Sequence, residues 1–551
     1  MSKIQTNTWL YALIALAVLL NFSGLFTTII APDGALYATI AKTMVLKNNY
    51  TDLFAEGRNW LDKPHFPFWI IALSFNLFGF TTWAYKLPAI LFLMLGARYT
   101  YLLAKSLYNE QVALWAVLIL LTAEHIIISN NDVRAEPYLT GLIIAAVYHF
   151  YKAQNTRIFW YLLAGSLFAA CAVMTKGMFA LIPICGAIAG ELIIKKQWKE
   201  LFNLRWLMAA VLILLFILPE LYCLYQQFDR HPELTVFGRH TVSGIKFFFW
   251  DSQFGRFFNN GPIKGHGDPS FFIHTTLWAF LPWSLLLFAG VFQFFKKNGK
   301  NVQAAEWYCI CGALLTFLVF SASKFQLPFY TNIIFPFYAI ITAQYLYRVK
   351  SIKAVRIVQV VVVVLLIAGI IVLHLFYRPE TFNWGIGALL IVLFILKVLL
   401  PGRITTVPYQ RIGIMTVLAA CIVNFYLNLV FYPSLLKYQA GSEAALYINA
   451  FNSRKNLPVV QSMGDYTYPL EFYLNYPLQT IDLNGNGQLP AKPFILYTPT
   501  ENLENLRKLK GWQFDTVANY NRYWITRLVP PFLNKATRTS TLSHVSVVVV
   551  R

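Results

Sequence analysis

Stretches of about 20 apolar residues recur along most of this 551-residue chain. The first extends from Trp9 to Ile30, and others follow as far as Phe431. A helix of this length crosses the roughly 30 Å hydrocarbon core of a bilayer, because it rises about 1.5 Å per residue. Only 13% of the residues are charged, compared with about 25% in average soluble domains. This composition excludes a soluble globular protein, and we predict an α-helical polytopic membrane protein.

The apolar stretches between Trp9 and Phe431 predict about 13 transmembrane helices. One further stretch, Phe66–Phe80, has about 15 residues, which is short for a crossing. We expect it to lie in the membrane interface; if it crosses instead, the topology shifts by one span. The predicted transmembrane domain comprises residues 1–433.

The positive charge of the chain indicates how the helices are oriented. The net charge is +21, and Lys and Arg are concentrated on every second connection, for example at Lys195, Lys196 and Lys199. Short cytoplasmic loops are enriched in Lys and Arg, so we place these connections and the N-terminus inside. The long segments 31–82 and 227–270, and everything after residue 433, then lie on the outer side. Because topology accounts for the basic residues, we expect no nucleic-acid partner.

Beyond residue 433 the long apolar stretches end and shorter helix and strand patterns follow. We therefore predict a soluble α/β domain over residues 434–551, on the outer side. Its final stretch, Asn534–Arg551, is Ser/Thr-rich and then Val-rich, and the pattern assigns it no element. The predicted helices are Glu443–Phe451 and Leu503–Lys510, and the predicted strands are Leu457–Met463, Pro493–Tyr497 and Tyr523–Leu528.

Asp33 follows the first apolar stretch directly, in the sequence Ala-Pro-Asp-Gly. An ionisable side chain at a membrane boundary is costly and is therefore a candidate functional group. The same residue fits an ordinary helix N-cap, because Tyr37 and Ile40 continue with helical spacing. The spacing leaves both roles open, a cap and a catalytic carboxylate.

A second polar cluster precedes the Phe66–Phe80 stretch. Arg58 and Lys63 supply two cations, Asp62 a carboxylate and His65 an imidazole. Basic and aromatic residues at headgroup depth can serve as a membrane anchor. Anchoring bases belong on the cytoplasmic side, however, and this segment is predicted to be outside. The cluster therefore favours binding of an anion such as a lipid phosphate.

A third cluster, Asp132, Arg134 and Glu136, lies in a polar turn that is also predicted to be outside. A tight hairpin explains the Asn and Pro residues of this turn, but not two acids beside an arginine. Carboxylates and cations thus converge on one side of the membrane. Further polar residues predicted on this side are Lys176, Arg256, His266, Lys324 and Tyr330.

Acids and cations gathered at a membrane surface suit the transfer of a sugar from a lipid phosphate. An acceptor oxygen attacks the anomeric carbon, and the transition state resembles an oxocarbenium ion. A carboxylate can deprotonate or orient the acceptor. Lys and Arg can stabilise the negative charge that returns to the phosphate, more strongly in a partly dry site than in water. The apolar helices would hold the lipid tail.

At these residues the chain resembles lipid-phosphate-sugar-dependent glycosyltransferases of the GT-C class, in particular the aminoarabinose transferase and protein-mannosyltransferase-like group. The resemblance covers roughly residues 1–350. The matching motifs are Asp33–Ala38, Asp62–His65, the Arg134/Glu136 segment, Met174–Gly177, Gly255–Phe257, Phe280–Ser284 and Ser323–Pro328.

Two positions depart from the family pattern. Gly34 stands where a second acid is often found. His65 replaces the second proline of a Lys-Pro-Pro motif, so we expect the local backbone to be less rigid than in relatives. The first departure weakens the assumption that a hydroxyl acceptor is deprotonated as in protein mannosyltransferases, since an ionised phosphate acceptor needs no base.

The resemblance implies a bacterial inner-membrane enzyme whose active site faces the periplasm. It implies transfer from a polyprenyl (undecaprenyl) phosphate donor to a lipid, glycan or protein acceptor, with inversion. It makes Asp33 and Glu136 the key catalytic acids. We expect Asp132 and Arg134 to orient the acceptor. The candidate ligands of the donor phosphate are Lys63, Arg58, Arg256, Lys324 and Tyr330.

Some relatives bind a divalent metal near the Lys-Pro motif. Asp62 and His266 are the candidate ligands in this chain, although an isolated histidine is more often an ordinary loop residue. The sequence therefore predicts no certain cofactor.

Two other classes of protein remain as alternatives. A transporter or flippase of a lipid-linked or small anionic substrate needs ionisable residues near the bilayer midplane or broken helices. The charged groups are predicted at the ends of spans, which argues against that class. A non-catalytic membrane module would bind a lipid-linked glycan without turning it over.

Overall fold

The chain folds into a bundle of helices followed by a smaller unit built on a β-sheet. The structure is a computed structural model, and it describes residues 3–156, 158–350, 352–462, 467–481 and 489–551. The first twenty helices of the bundle are α1 (Lys3–Phe22), α2 (Asp33–Leu46), α3 (Phe66–Phe78), α4 (Thr82–Leu107), α5 (Glu110–Leu121), α6 (Glu124–Asn131), α7 (Glu136–Thr156), α8 (Phe159–Lys176), α9 (Ile182–Ile194), α10 (Trp198–Leu201), α11 (Leu204–Phe216), α12 (Leu218–Leu224), α13 (Gly244–Lys246), α14 (Phe271–Ala279), α15 (Ser284–Asn298), α16 (Glu306–Ala322), α17 (Phe335–Arg348), α18 (Ile352–Tyr377), α19 (Trp384–Ile404) and α20 (Pro408–Tyr426).

Several helices continue into tighter or wider turns. Two 3₁₀-helices, Met178–Leu181 and Pro328–Ile334, lead into α9 and α17. Three π-helical segments, Tyr225–Asp229, Phe247–Gly255 and Leu427–Phe431, extend α12, α13 and α20. Such segments often mark functional sites.

The predicted membrane-spanning character is confirmed, but the predicted count of 13 spans is not. Within the described ranges, five helices are long and apolar enough to cross a bilayer, namely α4, α8, α18, α19 and the continuous stretch Pro408–Gln439. Two bent pairs pass the same criterion together: α5 with α6, at 50°, and Trp198–Phe216 with Leu218–Asp229, at 41°. Several apolar stretches that look continuous in sequence are divided by breaks, so helix length alone does not give the number of crossings. Helix α3 is apolar and only 13 residues long, as the prediction of an interfacial segment requires.

Two carboxylates lie inside predicted spans, at the bends. Glu124 begins α6 directly after the break and accepts a hydrogen bond from Asn424 Nδ2 at 3.0 Å. Glu220 lies in the first turn of α12 and is buried. The expectation that charged groups lie only at the ends of spans was therefore wrong, because bent helices admit polar partners from their neighbours. The charge positions alone do not argue against a transporter.

Helices α4 and α7 cross at a pair of glycines. A Cβ atom at Gly96 would lie 3.2 Å from the Cα atom of Gly141, and one at Gly141 would overlap the carbonyl group of Phe92. The two backbones approach this closely only because neither residue has a side chain. The contact fixes α7, whose first residue is Glu136.

The strands are β1 (Phe54–Ala55) and β2 (Arg58–Asn59), which form a separate hairpin, and β3 (Val459–Ser462), β4 (Leu478–Ile481), β5 (Phe494–Pro499), β6 (Phe514–Arg522) and β7 (Ser543–Val550), which form the sheet. Within the described residues, the sheet has five strands in the order β4-β3-β5-β7-β6. Strand β3 pairs in parallel with β4 and β5, whereas β7 is antiparallel to β5 and β6. The sheet is accompanied by helices α21 (Tyr432–Leu435), α22 (Gly441–Asn452), α23 (Tyr468–Tyr473), α24 (Asn502–Lys510) and α25 (Pro530–Leu533).

The α/β character of the C-terminal part is confirmed, with changes in two places. The Val-rich end, which the pattern left unassigned, is strand β7 between β5 and β6. The predicted strand Tyr523–Leu528 is wrong: Tyr523 follows β6 and stacks on Phe532 at 3.7 Å between ring centroids. Tyr523 and Ile525 instead pack in a hydrophobic cluster with Tyr377, Phe431 and Phe532. Met463, at the end of one predicted strand, lies outside the described residues.

Candidate active site

Six separate segments meet in one cavity of about 150 Å³. They are the start of α2, the stretch before α3, the turn between α6 and α7, the end of α8, the loop that follows the π-helix Phe247–Gly255, and the segment Phe325–Tyr330, which enters the 3₁₀-helix Pro328–Ile334. The polar lining residues are Asp33, Tyr37, Asp62, Lys63, Arg134, Glu136, Lys176, Arg256 and Tyr330. The clusters recognised in the sequence therefore share one site.

Arg134 joins two carboxylates at one side of the cavity. Its Nη1 donates a hydrogen bond to Asp33 Oδ2 at 2.5 Å, and its Nε and Nη2 donate to Asp132 Oδ2 at 2.9 and 2.6 Å. The guanidinium carbon lies 4.4 Å from the centroid of the Phe329 ring. The side chain of Asp33 is 44% exposed, against 16% for Asp132, so Asp33 is the carboxylate that a substrate can reach.

Asp33 is not the N-cap that the sequence left open. The cap position of α2 is Pro32, and no side chain caps the helix. Gly34 is packed so closely that a Cβ there would lie 3.3 Å from Asp132 Oδ1. An acid at position 34 would crowd Asp132, which already places a second carboxylate beside Asp33.

Glu136 is held by a residue that the sequence analysis noted but did not assign to the site. Lys176, the last residue of α8, donates a short hydrogen bond to Glu136 Oε1. Its Nζ also lies 3.9 Å from the centroid of the Tyr330 ring. The sequence signals for Lys176 were a cation at the end of an apolar helix and the matching motif Met174–Gly177, and neither indicated its partner, which lies 40 residues away.

Asp62 lies between two cations on another wall of the cavity. Lys63 Nζ donates to Asp62 Oδ2 at 2.6 Å, and Arg256 Nη2 donates to Asp62 Oδ1. Tyr330 lines both this cavity and the adjoining one of about 80 Å³, together with Lys63 and Arg256. An anion entering here would meet two cations that share a single carboxylate, Asp62.

Three residues predicted for the site lie elsewhere. Arg58 is exposed in β2, and the side chain of Lys324 is exposed although its backbone N–H donates to Phe257 O at 3.0 Å. His266 is also exposed. None of the three lines the cavity, so the geometry gives no support to their predicted roles.

The predicted metal ligands do not form a site that fits a divalent cation. Both carboxylate oxygens of Asp62 are hydrogen-bonded to cations. Within the described ranges, no group of three or more His, Cys, Asp and Glu side chains is arranged to hold a metal ion. We therefore derive no chemical step from a metal.

His65 follows the Lys63 segment and is fully buried. Its backbone N–H donates to Glu220 Oε2 at 2.9 Å, its Nδ1 lies 3.0 Å from Glu220 Oε1, and its Nε2 lies 2.9 Å from the Thr51 carbonyl oxygen. Burial opposes a charged imidazole, but the charge and hydrogen bond of Glu220 raise the pKa of His65 above its usual value. Three hydrogen bonds anchor this residue, which corrects the expectation that it loosens the local backbone.

Lys86 is a further buried cation near the site that the sequence did not single out. It donates hydrogen bonds to the carbonyl oxygens of Gly24 and Thr27, at 3.0 and 2.6 Å. These carbonyls belong to the connection between α1 and α2. Lys86 thereby fixes the segment that leads to Asp33.

Comparisons with known proteins agree with the predicted resemblance. A family model described as dolichyl-phosphate-mannose-protein mannosyltransferase matches residues 62–223. An uncharacterised protein of Aquifex aeolicus (strain VF5) is 23% identical over 512 residues, which cover 90% of this chain and 94% of that protein. The undecaprenyl phosphate-alpha-4-amino-4-deoxy-L-arabinose arabinosyl transferase of Edwardsiella ictaluri (strain 93-146) is 27% identical over 330 residues, or 58% of this chain and 56% of the transferase. The alignment thus spans just over half the length of that transferase.

A solved structure is similar over almost the whole chain. The crystal structure of ArnT from Cupriavidus metallidurans bound to undecaprenyl phosphate superposes with a TM-score of 0.77 and 17% sequence identity, covering 98% of both chains. This similarity shows that the two proteins share a fold. Together with the family model and the curated relatives, these comparisons confirm the resemblance to lipid-phosphate-sugar-dependent glycosyltransferases.

Proposed function

We propose that this chain is an integral membrane glycosyltransferase that moves a sugar from an undecaprenyl-phosphate-type donor to a lipid, glycan or protein acceptor. The observation that carries the proposal is the shared cavity, in which a reachable carboxylate, Asp33, lies with the cations Lys63 and Arg256. The names of the relatives and the fold similarity support the same class of reaction.

The donor phosphate would bind at Lys63, Arg256 and Tyr330. Lys63 and Arg256 already hold a carboxylate, Asp62, between them. A phosphate is a stronger and more highly charged acceptor of charge-assisted hydrogen bonds, so it can compete for these donors. As the glycosidic bond breaks, both cations would stabilise the charge that develops on the leaving phosphate.

Asp33 would receive or orient the acceptor group. It is the most exposed of the three residues in its ion-pair cluster, and Arg134 fixes its direction. A hydroxyl acceptor would give its proton to the Asp33 carboxylate as its oxygen attacks the anomeric carbon. An acceptor that is already an ionised phosphate would need orientation only. Because the attack is a single displacement, the sugar would be transferred with inversion.

Glu136 would act through its contact with Lys176 and Tyr330. Its side chain is only 2% exposed, against 26% for Lys176. We assign Glu136 to fixing the Lys176 ammonium next to the Tyr330 ring, on the wall that the sugar would contact. Asp132, which shares Arg134 with Asp33, would keep that guanidinium in place for the acceptor.

The site would face the periplasm in a bacterial inner membrane. The support is the distribution of Lys and Arg, which favours the opposite, cytoplasmic side for the basic connections. On this topology, about 13 membrane segments within residues 1–433 form the catalytic domain, and residues 434–551 form a periplasmic domain above it.

The test is incubation of the purified protein with candidate polyprenyl-phosphate sugars and acceptors, followed by mass spectrometry for loss of the glycosyl group from the donor. Asp33→Asn, Glu136→Gln and Lys63→Ala should each abolish transfer while the fold is retained. Near-normal turnover in all three variants would refute the assignment. Donor binding without turnover would indicate a binding module, and flux in sealed vesicles would indicate a transporter.

A further inference from the structure

Helix α12 and its π-helical extension present two buried polar side chains toward the loop that precedes α3. Glu220 and Gln227 are seven residues apart and are 0% and 3% exposed. Residues seven apart in a helix lie close to one face. Neither residue lines the cavity, so neither is explained by contact with substrate.

Glu220 holds the end of that loop. One of its oxygens accepts the backbone N–H of His65, and the other lies against Nδ1 of the same residue. The second ring nitrogen, Nε2, faces the carbonyl oxygen of Thr51. A carbonyl oxygen can only accept, so Nε2 carries a proton, and a further proton is shared between Nδ1 and the Glu220 carboxylate. The arrangement is a buried, fully hydrogen-bonded acid–imidazole pair, which is costly to break at either partner.

Gln227 holds the beginning of the same loop. Its Oε1 accepts the backbone N–H of Leu53 at 3.0 Å, and its Nε2 donates to the Leu53 carbonyl at 2.9 Å. Nε2 also donates to Asn59 Oδ1 at 3.0 Å. The amide thus pairs with Leu53 as a neighbouring strand would, and it ties both arms of the β1–β2 hairpin to the helix.

Asp62 and Lys63 lie between these two attachments. His65 is two residues after Lys63, and Asn59 is three residues before Asp62. We propose that Glu220 and Gln227 are positioning residues, which hold the Lys63 ammonium and the Asp62 carboxylate at the place where the donor phosphate binds. This inference rests on the proposed function, because it assumes that Lys63 contacts the phosphate.

The test is a double-mutant cycle for binding of undecaprenyl phosphate to the full-length protein in detergent, measured by isothermal titration calorimetry. The variants are Lys63→Ala, Glu220→Gln and the two combined. Glu220→Gln keeps the size of the side chain and an oxygen for the His65 N–H, but removes the charge. The matched control is Glu233→Gln, because Glu233 also pairs with a histidine, His231 at 2.8 Å, in an exposed loop.

We expect Lys63→Ala to raise Kd by about 10- to 100-fold, the usual cost of a lost hydrogen bond to a charged group. Glu220→Gln should raise Kd by about tenfold, within the range of coupling between contacting residues. The combined variant should bind no more weakly than Lys63→Ala alone, because Glu220 acts through Lys63. Glu233→Gln should leave Kd unchanged.

Losses that multiply in the combined variant would overturn the inference, since they would show that Glu220 acts independently of Lys63. If Glu220→Gln does not fold, as judged by thermal unfolding in detergent, Gln227→Ala replaces it in the cycle with Lys63→Ala. The same two outcomes then support or overturn the inference. If Lys63→Ala itself leaves Kd unchanged, the proposed phosphate site fails and the inference with it. The two kinds of failure are therefore distinguishable.

Discussion

Arg134 and Asp33 are 101 residues apart in sequence, and Arg134 Nη1 lies 2.5 Å from Asp33 Oδ2. The same guanidinium binds Asp132 through two further nitrogens. One cation therefore pairs with two carboxylates that would otherwise repel each other across a partly buried site. The net charge around Asp33 therefore depends on the guanidinium of Arg134 as well as on the two carboxylates.

Replacing Arg134 by Gln should abolish most of the transfer activity. Without the guanidinium, Asp33 and Asp132 would repel each other, and Asp33 would lose its orientation. We expect kcat to fall by about 10²- to 10⁴-fold, the usual contribution of a positioned acid or base. The measurement is single-turnover transfer from a polyprenyl-phosphate sugar. Arg239→Gln, on an exposed loop, should retain the activity of the parent protein, and an equal loss in both variants would contradict this role.

Arg256 and Lys324 offer a direct comparison between the geometry and the sequence-based assignment. Arg256 lines the cavity beside Asp62, whereas the side chain of Lys324 is exposed outside it. Arg256→Ala should therefore weaken binding of undecaprenyl phosphate by at least about tenfold. Lys324→Ala should change the affinity by less than about twofold, because an exposed charge contributes little. A large effect of Lys324→Ala would show instead that the prediction from sequence was right.

Gly141→Ala should disturb the active site from a distance. The added methyl would overlap the Phe92 carbonyl and push α7 away from α4, which moves Glu136 at the start of α7. We expect a lower Tm and a clear loss of activity, because overpacking typically costs about 1–3 kcal/mol. The matched control is Gly369→Ala in α18, where no other part of the protein lies within 4 Å of the new methyl group apart from the adjacent residues and backbone of α18. That variant should be neutral or slightly stabilised, as expected for Ala in a helix. Equal effects of the two substitutions would contradict the close approach of α4 and α7.

The contact between α2 and the sheet unit should depend on pH. Lys42 of α2 donates to the carbonyl oxygens of Glu471, Phe472 and Leu474 at the end of α23, at 3.1, 2.8 and 2.6 Å. Burial, followed by the charge of Glu56, raises the pKa of Glu471 to about 7, while burial lowers the pKa of Lys42 to about 8.

A carboxyl whose pKa is raised by folding stabilises the fold below its unfolded pKa, and that contribution is lost as the pH rises through the folded value. The free energy of unfolding should therefore decrease between about pH 4.5 and pH 7, a range in which Lys42 stays charged. Glu471→Gln, which imitates the neutral acid, should raise Tm by a few degrees at pH 7.5 and change it little at pH 4.5. Thermal unfolding of both proteins across this range is the measurement. A Tm difference that does not vary with pH would exclude Glu471 as the titrating group.

Val548 should be intolerant of charge. It is fully buried in β7, between β5 and β6. Val548→Asp would place an unpaired carboxylate in this core and should unfold the sheet, since such substitutions are among the most destabilising. Val549→Thr, at a half-buried position of the same strand, is the control. Limited proteolysis should cleave the region after residue 440 only in the Asp variant; protection of both variants would contradict the position of β7 as a buried internal strand between β5 and β6.

The sequence predicted the residues of the site better than it predicted the contacts among them. Asp33, Lys63 and Glu136 stood out because charged groups at membrane boundaries are rare, and all three line one cavity. Their long-range partners could not be predicted, because no local pattern connects Glu136 to Lys176 or the segment of Lys63 to Glu220. These contacts depend on how distant helices pack.

For the fold as well, the sequence predicted the type of structure better than the contacts within it. Hydrophobicity predicted a helical membrane protein, but it could not show where a helix breaks. The bend between α5 and α6 is stabilised by partners from other helices, such as Asn424 for Glu124. A run of valines likewise fits a strand or a membrane segment equally well. Only its pairing with β5 and β6 identifies β7 as an internal strand of a sheet.

The position of β7 also affects how the protein is made. Strands β5 and β6 leave the ribosome first, yet they do not pair with each other and must wait for the strand that separates them. Until β7 emerges, their edges are exposed and open to association with other chains. Completion of this sheet is therefore a late event in biogenesis, and a chaperone that covers β5 and β6 until β7 has been made would increase the yield of native protein.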